Sequence, residues 1–429
     1  MSNPSIILYF YRPNVQYFCN QEVYMSLLLR NRAAILLLML NIFIVFTGIG
    51  LVIPIMPTYM TELHINGSVM GLLVAVFSLT QFLFSPLAGR LSDSLGRKKI
   101  IVAGMIVFAL SEWFFGSVST PLLLFVSRML GGVGAALIMP AVMAYTADVT
   151  SAKERAKGMG YVTAAITTGF IIGPGIGGFL AEYGMRVPFY MAAVAGGLAA
   201  VITLLVLPES RPVQHHAVSN NENPKEERLL LQLMNSYKEP YFLSLIIVFV
   251  TSFGLSNYET IFSLFVDHKF SFTPKDIAFV ITFGSIAGAV VQVTIFGWIL
   301  NKFGEKRVIS FCLMMTGLFI LLTLFVHTYW LIIVVTFIVF LATDILRPAI
   351  STQMSMMAQD DQGYVAGLNS AYTSLGNIIG PVVAGFLFDI NINYPYVSAA
   401  LVLLLCFLLS LRAGKDRKTA VRNQAVQEK

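Results

Sequence analysis

The chain has 429 residues, of which 57% are hydrophobic and only 12% charged, with a mean hydropathy of +0.77 and a formal net charge of +6. A soluble domain carries about 25% charged residues, so a soluble enzyme or binding module is excluded. The basic excess does not indicate nucleic-acid binding either, because the basic residues sit at the ends of apolar blocks. Cys19, Cys312 and Cys406 lie too far apart to form a disulfide framework or a metal-ligand pattern.

The apolar blocks are about 20 residues long, the length that crosses a ~30 Å hydrocarbon core. In chain order they predict membrane spans at 35–57, 69–90, 99–118, 121–146, 159–182, 187–207, 241–266, 276–300, 307–326, 329–355, 364–389 and 394–412. The expected fold class is an all-α polytopic membrane protein. Residues 1–32 are expected to form a cytoplasmic N-terminal segment. The first 24 residues lack a basic region ahead of an apolar core and lack a small-residue cleavage site, so they do not read as a signal peptide. Met25 is a more natural start; an over-extended start and a genuine cytoplasmic tail both fit. A polar stretch at 208–240 is expected to be a cytoplasmic loop between six-helix bundles at 33–207 and 241–412, with a cytoplasmic tail at 413–429.

Scoring loops for Lys and Arg orients the chain. Of the 28, Arg186, Lys269 and Lys275 fall on the outer side, Arg128 and Arg347 fall inside spans, and all others are cytoplasmic, with both termini. A multi-pass protein of the cell membrane is expected.

The two halves repeat one another. GFIIGPGIGGFL at 169–180 matches GNIIGPVVAGFL at 376–387, GRLSDSLGRKK at 89–99 matches GWILNKFGEKR at 297–307, and LIMPAVM at 137–143 matches ILRPAIS at 345–351. The offsets are 207, 208 and 208. Two parallel six-helix units are the layout in which substrate binds at the midplane between halves that rock.

Four motifs follow in chain order. In span 1, IGLVIPIMP covers 49–57. In the turn after span 2, Gly89 would let a helix approach closely, Asp93 can accept from backbone N–H groups or an arginine, and Gly96, followed by Arg97, permits a tight turn. Asn301 replaces the acid in the second half, and Arg97, Lys98 and Lys99 alone would also suit a positive-inside loop. In span 4, LFVSRMLGGVGAA places Arg128 inside the membrane, where an arginine costs roughly 2.5–3.5 kcal/mol and must face the interior or an acid. In span 5, Gly169, Gly173 and Gly177 repeat at every fourth residue and make a flat face, while Pro174 frees a carbonyl. Helix packing alone would account for that face.

These motifs together resemble the major facilitator superfamily over nearly the whole chain from about residue 33. The helix-4 and helix-5 motifs are similar to those of its twelve-helix drug:proton antiporters of the NorA/Bmr multidrug efflux type. FGLSNYETIFSL in span 7 and RPAIS in span 10 extend the resemblance. It implies a fold of two pseudo-symmetric six-helix bundles, a role for Arg128 in proton coupling, and export rather than uptake.

Inside the spans the acids are Glu112, Glu259 and Asp344. With Arg128 and Arg347 they would cost on the order of 10 kcal/mol if unpaired, which makes them functional candidates. Asp344 and Arg347 share a face of span 10 with Phe337, Phe340 and Ser351, and Glu259 lies on a stripe with Ser252, Ser256 and Ser263. Glu259 and Asp344 are read as the acids of a central cavity, where reversible proton binding would drive exchange. A purely structural Asp344–Arg347 pair is the alternative. The resemblance implies that Glu259, Asp344 and Arg347 line the drug and proton site. Phe46, Ile49 and Ile53 share a face of span 1, and Gln81 and Asn377 are uncommon polar residues in apolar spans. As a set they outline a large apolar cavity for lipophilic, often cationic compounds, although singly each also fits packing. Glu112, toward the outer end of span 3, is expected to snorkel to the surface.

The expected function is multidrug:proton antiport by alternating access, with exporter or symporter of a specific metabolite as the alternative. The expected partners are drugs, protons and the lipid bilayer, the expected state is a monomer, and no cofactor is implied. No HExxH, GxSxG or GxxxxGK[ST] occurs to support an enzyme or nucleotide-driven reading.

Overall fold

The computed structural model describes residues 14–151, 154–210, 236–238, 241–357 and 362–427. Most of the expected 208–240 loop and the beginning of the 1–32 segment lie outside them. Twelve helices are long and apolar enough to cross a membrane: α1 (Arg32–Leu63), α2 (Gly67–Leu95), α3 (Arg97–Ser117), α4 (Pro121–Val149), α5 (Lys157–Ala181), α6 (Val187–Val206), α7 (Phe242–Phe270), α8 (Pro274–Thr294), α9 (Glu305–Thr323), α10 (Tyr329–Met356), α11 (Tyr364–Ile390) and α12 (Tyr394–Leu411). Among the described residues no strand accompanies them. Hydrocarbon offers the backbone no hydrogen bonds, so each span must satisfy its own N–H and C=O groups. The outer faces fit that solvent: α6 exposes Val194, Leu198, Val201 and Leu205, a patch that water would penalise and lipid accepts.

Two spans are interrupted. In α1, Pro54 has no N–H to donate, and Ile53–Ile55 tighten into one 3-10 turn before helix resumes at Met56. The span expected at 276–300 is two helices: α8 stops at Thr294, Ile295 leaves ideal helical geometry, and a short helix runs Phe296–Phe303.

The halves repeat one neighbour pattern. In the first, α1 packs on α5, α2 on α4, α3 on α4 and α6; in the second, α7 packs on α11, α8 on α10, α9 on α10 and α12. The glycine face of α5 explains the α1–α5 contact. A Cβ at Gly169 would meet the Phe43 carbonyl at 2.9 Å, one at Gly173 the Thr47 carbonyl at 2.7 Å, and one at Gly177 the Leu51 carbonyl. On α11, Gly376 and Gly380 meet the backbone of α7 in the same way.

Between halves, α2 packs on α11 and α5 on α8. These contacts lie toward the face carrying the α1–α2 and α7–α8 loops: Gly71 touches the Pro381 carbonyl and Gly178 touches Pro274 and Ala278. Toward the opposite face, where α1 begins and α12 ends, Gly89, Gly160, Gly297 and Gly367 have no atom of the described residues within 4 Å of their Cβ directions. The bundle is therefore closed at one face. The close helix approach expected at Gly89 does not occur in this arrangement, because the halves are apart there.

Gly177→Leu would drive a side chain into the α1 backbone and is expected to cost at least about 2 kcal/mol. Thermal unfolding of the purified variant in detergent would read this as a clear loss of melting temperature.

Candidate functional site

Between the halves lies a cavity of about 150 Å³. Ile49, Val52, Ile53 and Met56 of α1, Met70, Val74 and Phe77 of α2, Arg128 of α4, and Ser256, Glu259 and Thr260 of α7 line it. The α1 contribution follows from the 3-10 turn, which presents Ile53 and Met56 from one tight bend. On α2, residues 70, 74 and 77 step by 4 and 3, so they share one face. The next step along that face is Gln81, which is half-buried. Met70, Val74 and Phe77 were not among the expected cavity residues, although their spacing is visible in the sequence.

Arg347 on α10 reaches across to α7 and donates to Glu259 Oε1 at 2.7 Å. Asp344, one turn away on α10, makes no hydrogen bond or ion pair among the described residues. Its carboxylate packs on α8, where a Cβ at Gly288 would collide with it. The alternative Asp344–Arg347 pair is thus replaced by an interhelical Glu259–Arg347 pair. Sharing a helix face allows the first, but the long guanidinium reaches α7 instead. Glu259 lines the cavity, and the side chains of the pair are 38% (Glu259) and 55% (Arg347) exposed.

Arg128 is buried, and its guanidinium lies 4.3 Å from the centre of the Phe115 ring. Gly131 and Gly132 explain how it comes to share a wall with α2: Cβ atoms there would meet Phe77 and Thr80. Ser127 ties α4 to α3 by donating to the Ser111 carbonyl at 2.7 Å. The expectation that Glu112 snorkels outward is overturned. It is 3% exposed, its Oε2 has no hydrogen-bond partner among the described residues, and its charged neighbour is Arg128, without a direct ion pair. The α3 turn points it inward, behind Arg128, which helix numbering alone did not indicate.

Phe46, Gln81, Phe340 and Asn377, also expected at the cavity, are not among the residues that line it. Phe340 is 9% exposed and packs edge-on against Tyr258 and Phe262. Phe46 is buried against Phe170, ring centres 4.9 Å apart. Asn377 is half-buried on α11. Pro174 packs on Gly50 of α1.

At the face where α1 begins and α12 ends, Gly96 adopts φ +102°, a conformation that favours glycine, and turns α2 into α3. Arg97 pairs with Asp93 at 2.5 Å and with Asp148 of α4 at 3.3 Å. Glu209 was not foreseen: its carboxylate accepts the Arg97 N–H at 2.8 Å and caps the start of α3.

Twelve lipid-facing helices in two similar halves, with charges gathered around a central cavity, define a membrane transporter. The chain belongs to the Major Facilitator Superfamily, whose family model matches residues 38–243 and 244–429. It is 50% identical over 384 residues to multidrug resistance protein 2 of Bacillus subtilis (strain 168), covering 89% of this chain and 95% of that protein. It is 46% identical over 375 residues to multidrug resistance protein 1 of the same strain, covering 87% and 95%. It is 40% identical over 366 residues to the quinolone resistance protein NorA of Staphylococcus aureus (strain COL), covering 85% and 92%. Among solved structures, a bacterial homolog of the human lysosomal transporter Spinster, inward-facing and occupied, superposes with a TM-score of 0.72 at 16% identity over 90% of this chain and 97% of that one.

Arg347→Ala would leave Glu259 without its cation beside an already unpaired Asp344. Because both side chains of the pair are substantially exposed, the expected loss of stability is modest, about 1 kcal/mol. Melting temperatures in detergent should fall for Arg347→Ala and recover in part for Arg347→Lys.

Proposed function

We propose that this transporter exports lipophilic, often cationic small molecules in exchange for protons, by alternating access between the halves 33–207 and 241–412. The observation that carries the reading is the charge arrangement beside the cavity: Arg347 donates to Glu259, which lines the cavity, and Asp344 makes no hydrogen bond or ion pair among the described residues. A carboxylate in that position loses its charge penalty by taking a proton or by meeting a cationic ligand. The two occupants then exclude one another, which is the requirement for exchange. Ile49, Ile53 and Phe77 supply apolar surface for the body of such a ligand. The names of the relatives, multidrug and quinolone resistance proteins, support this substrate class.

In this reading Arg128, backed by Glu112, is a second charged station on the opposite wall and couples the proton to the first half. One proton moving through 100 mV supplies about 2.3 kcal/mol, sufficient for a roughly 50-fold gradient of an exchanged solute. The protein acts as a monomer in the cell membrane. The Lys and Arg distribution supports cytoplasmic termini, which makes the closed face the outer one.

Inverted membrane vesicles carrying a fluorescent cationic dye and a proton gradient provide the test. Asp344→Asn and Glu259→Gln are each expected to slow gradient-driven dye uptake by roughly tenfold or more, as loss of an intramembrane titrating group should. Wild-type rates from both variants would refute the assignment, and insensitivity of the wild-type rate to an uncoupler would refute proton coupling itself.

A further inference from the structure

One acid from each half crosses to the other half at the closed face. Asp389, at the end of α11, accepts the backbone N–H of Gly67 at 2.7 Å, the N–H of Ser68 at 2.9 Å, and the Ser68 hydroxyl. Gly67 and Ser68 are the first residues of α2, whose N–H groups have no helical carbonyl to accept them. The helix cap, Asn66, is already spent on the Val69 N–H at 3.0 Å. Asp389 therefore satisfies two otherwise open donors from outside the half, at the positive end of the helix dipole.

The internal repeat supplies a second crossing at the same place. At the offset of 207, Asp389 corresponds to Glu182 at the end of α5, and Gly67–Ser68 to Pro274–Lys275 at the start of α8. Glu182 Oε1 and Lys275 Nζ lie 2.9 Å apart. The chemistry differs for a reason written in the local sequence. Pro274 has no N–H, and Thr273 and Asp276 close the rest of the α8 start with a capping box, so the acid needs a side-chain cation instead. Beneath each acid a repeat-related glycine brings the backbones together: Gly385 on Gly67 and Ser68, Gly178 on Pro274.

We propose that Asp389 and Glu182 form a pseudo-symmetric two-point latch that holds this face closed, and that both crossings break when the face opens. At the opposite face the repeat-related Gly89 and Gly297 have nothing within 4 Å among the described residues, so there the halves are held together from one side. The two points are unequal. Lys275 and Glu182 are well exposed, 63% and 45%, and an exposed ion pair contributes little. Asp389 makes several charge-assisted bonds to fixed backbone donors, which are stronger, so it carries most of the latch. The proposal rests on alternating access between the halves, not on the identity of the cargo or the coupling ion.

Spin labels at Glu62→Cys, near the end of α1, and His268→Cys, near the end of α7, report the opening of this face. They would be placed in a background lacking Cys19, Cys312 and Cys406, and read by pulsed electron spin resonance on the purified protein. The wild-type background should show mainly the short distance. Asp389→Ala should raise the ratio of long to short distances roughly tenfold, the size expected for lost charged hydrogen bonds; Asp389→Asn serves if the alanine variant does not fold. Glu182→Lys should give a smaller rise that adding Lys275→Glu reverses. An unchanged distribution in the Asp389 variant, or a charge swap that restores nothing, would overturn the latch. Since no transport is read, failure of drug:proton exchange would leave this result standing, and the reverse.

Discussion

Hydrocarbon gives neither backbone nor charge a partner, and the whole molecule is arranged around that constraint. Each span satisfies its backbone as a helix, and the helices can then approach only where side chains are absent. The glycines of α5 and α11 supply those places, against α1 and α7 respectively. The same constraint makes each intramembrane charge conspicuous. Arg128 and Glu259 line the cavity, Glu112 is buried behind Arg128, and Arg347 pairs with Glu259.

The halves share a neighbour pattern but not a chemistry. At the repeat offset of 207, Glu259 corresponds to Val52, and both line the cavity. One ancestral position is thus apolar on one wall and acidic on the other. The cavity accordingly pairs an aliphatic wall from α1 and α2 with charged groups from α4 and α7, Arg128 and Glu259, a combination that suits an amphiphilic ligand. Closure at the face carrying the α1–α2 and α7–α8 loops is built from the same repeat. There too the two halves solve one geometric problem with different groups, backbone donors at α2 and an ammonium at α8.

The local readings that held are those whose physics is local. The helical spans, the glycine-dependent turn at Gly96 and the acceptance by Asp93 from an arginine depend on neighbours within a helical turn or two. The readings that changed concern partners on other helices. Arg347 was three residues from Asp344 and went to Glu259, because a long guanidinium reaches the next helix as easily as its own next turn. Glu112 turned inward although its depth along α3 would have allowed either direction. Gly89 found no neighbour because helix contact there depends on how the two halves are rotated.

By itself, then, the sequence determined the helical spans, their repetition in two halves, the family resemblance and the short list of charges that hydrocarbon does not tolerate idly. Periodicity and composition suffice for these, since they are properties of single helices in a low-dielectric solvent. Tertiary structure alone decided which acid receives the arginine, which residues face the cavity and which stand behind it, and which face of the bundle is shut. Those outcomes depend on the rotation of each helix about its axis and of each half against the other, and no spacing along one chain segment encodes them.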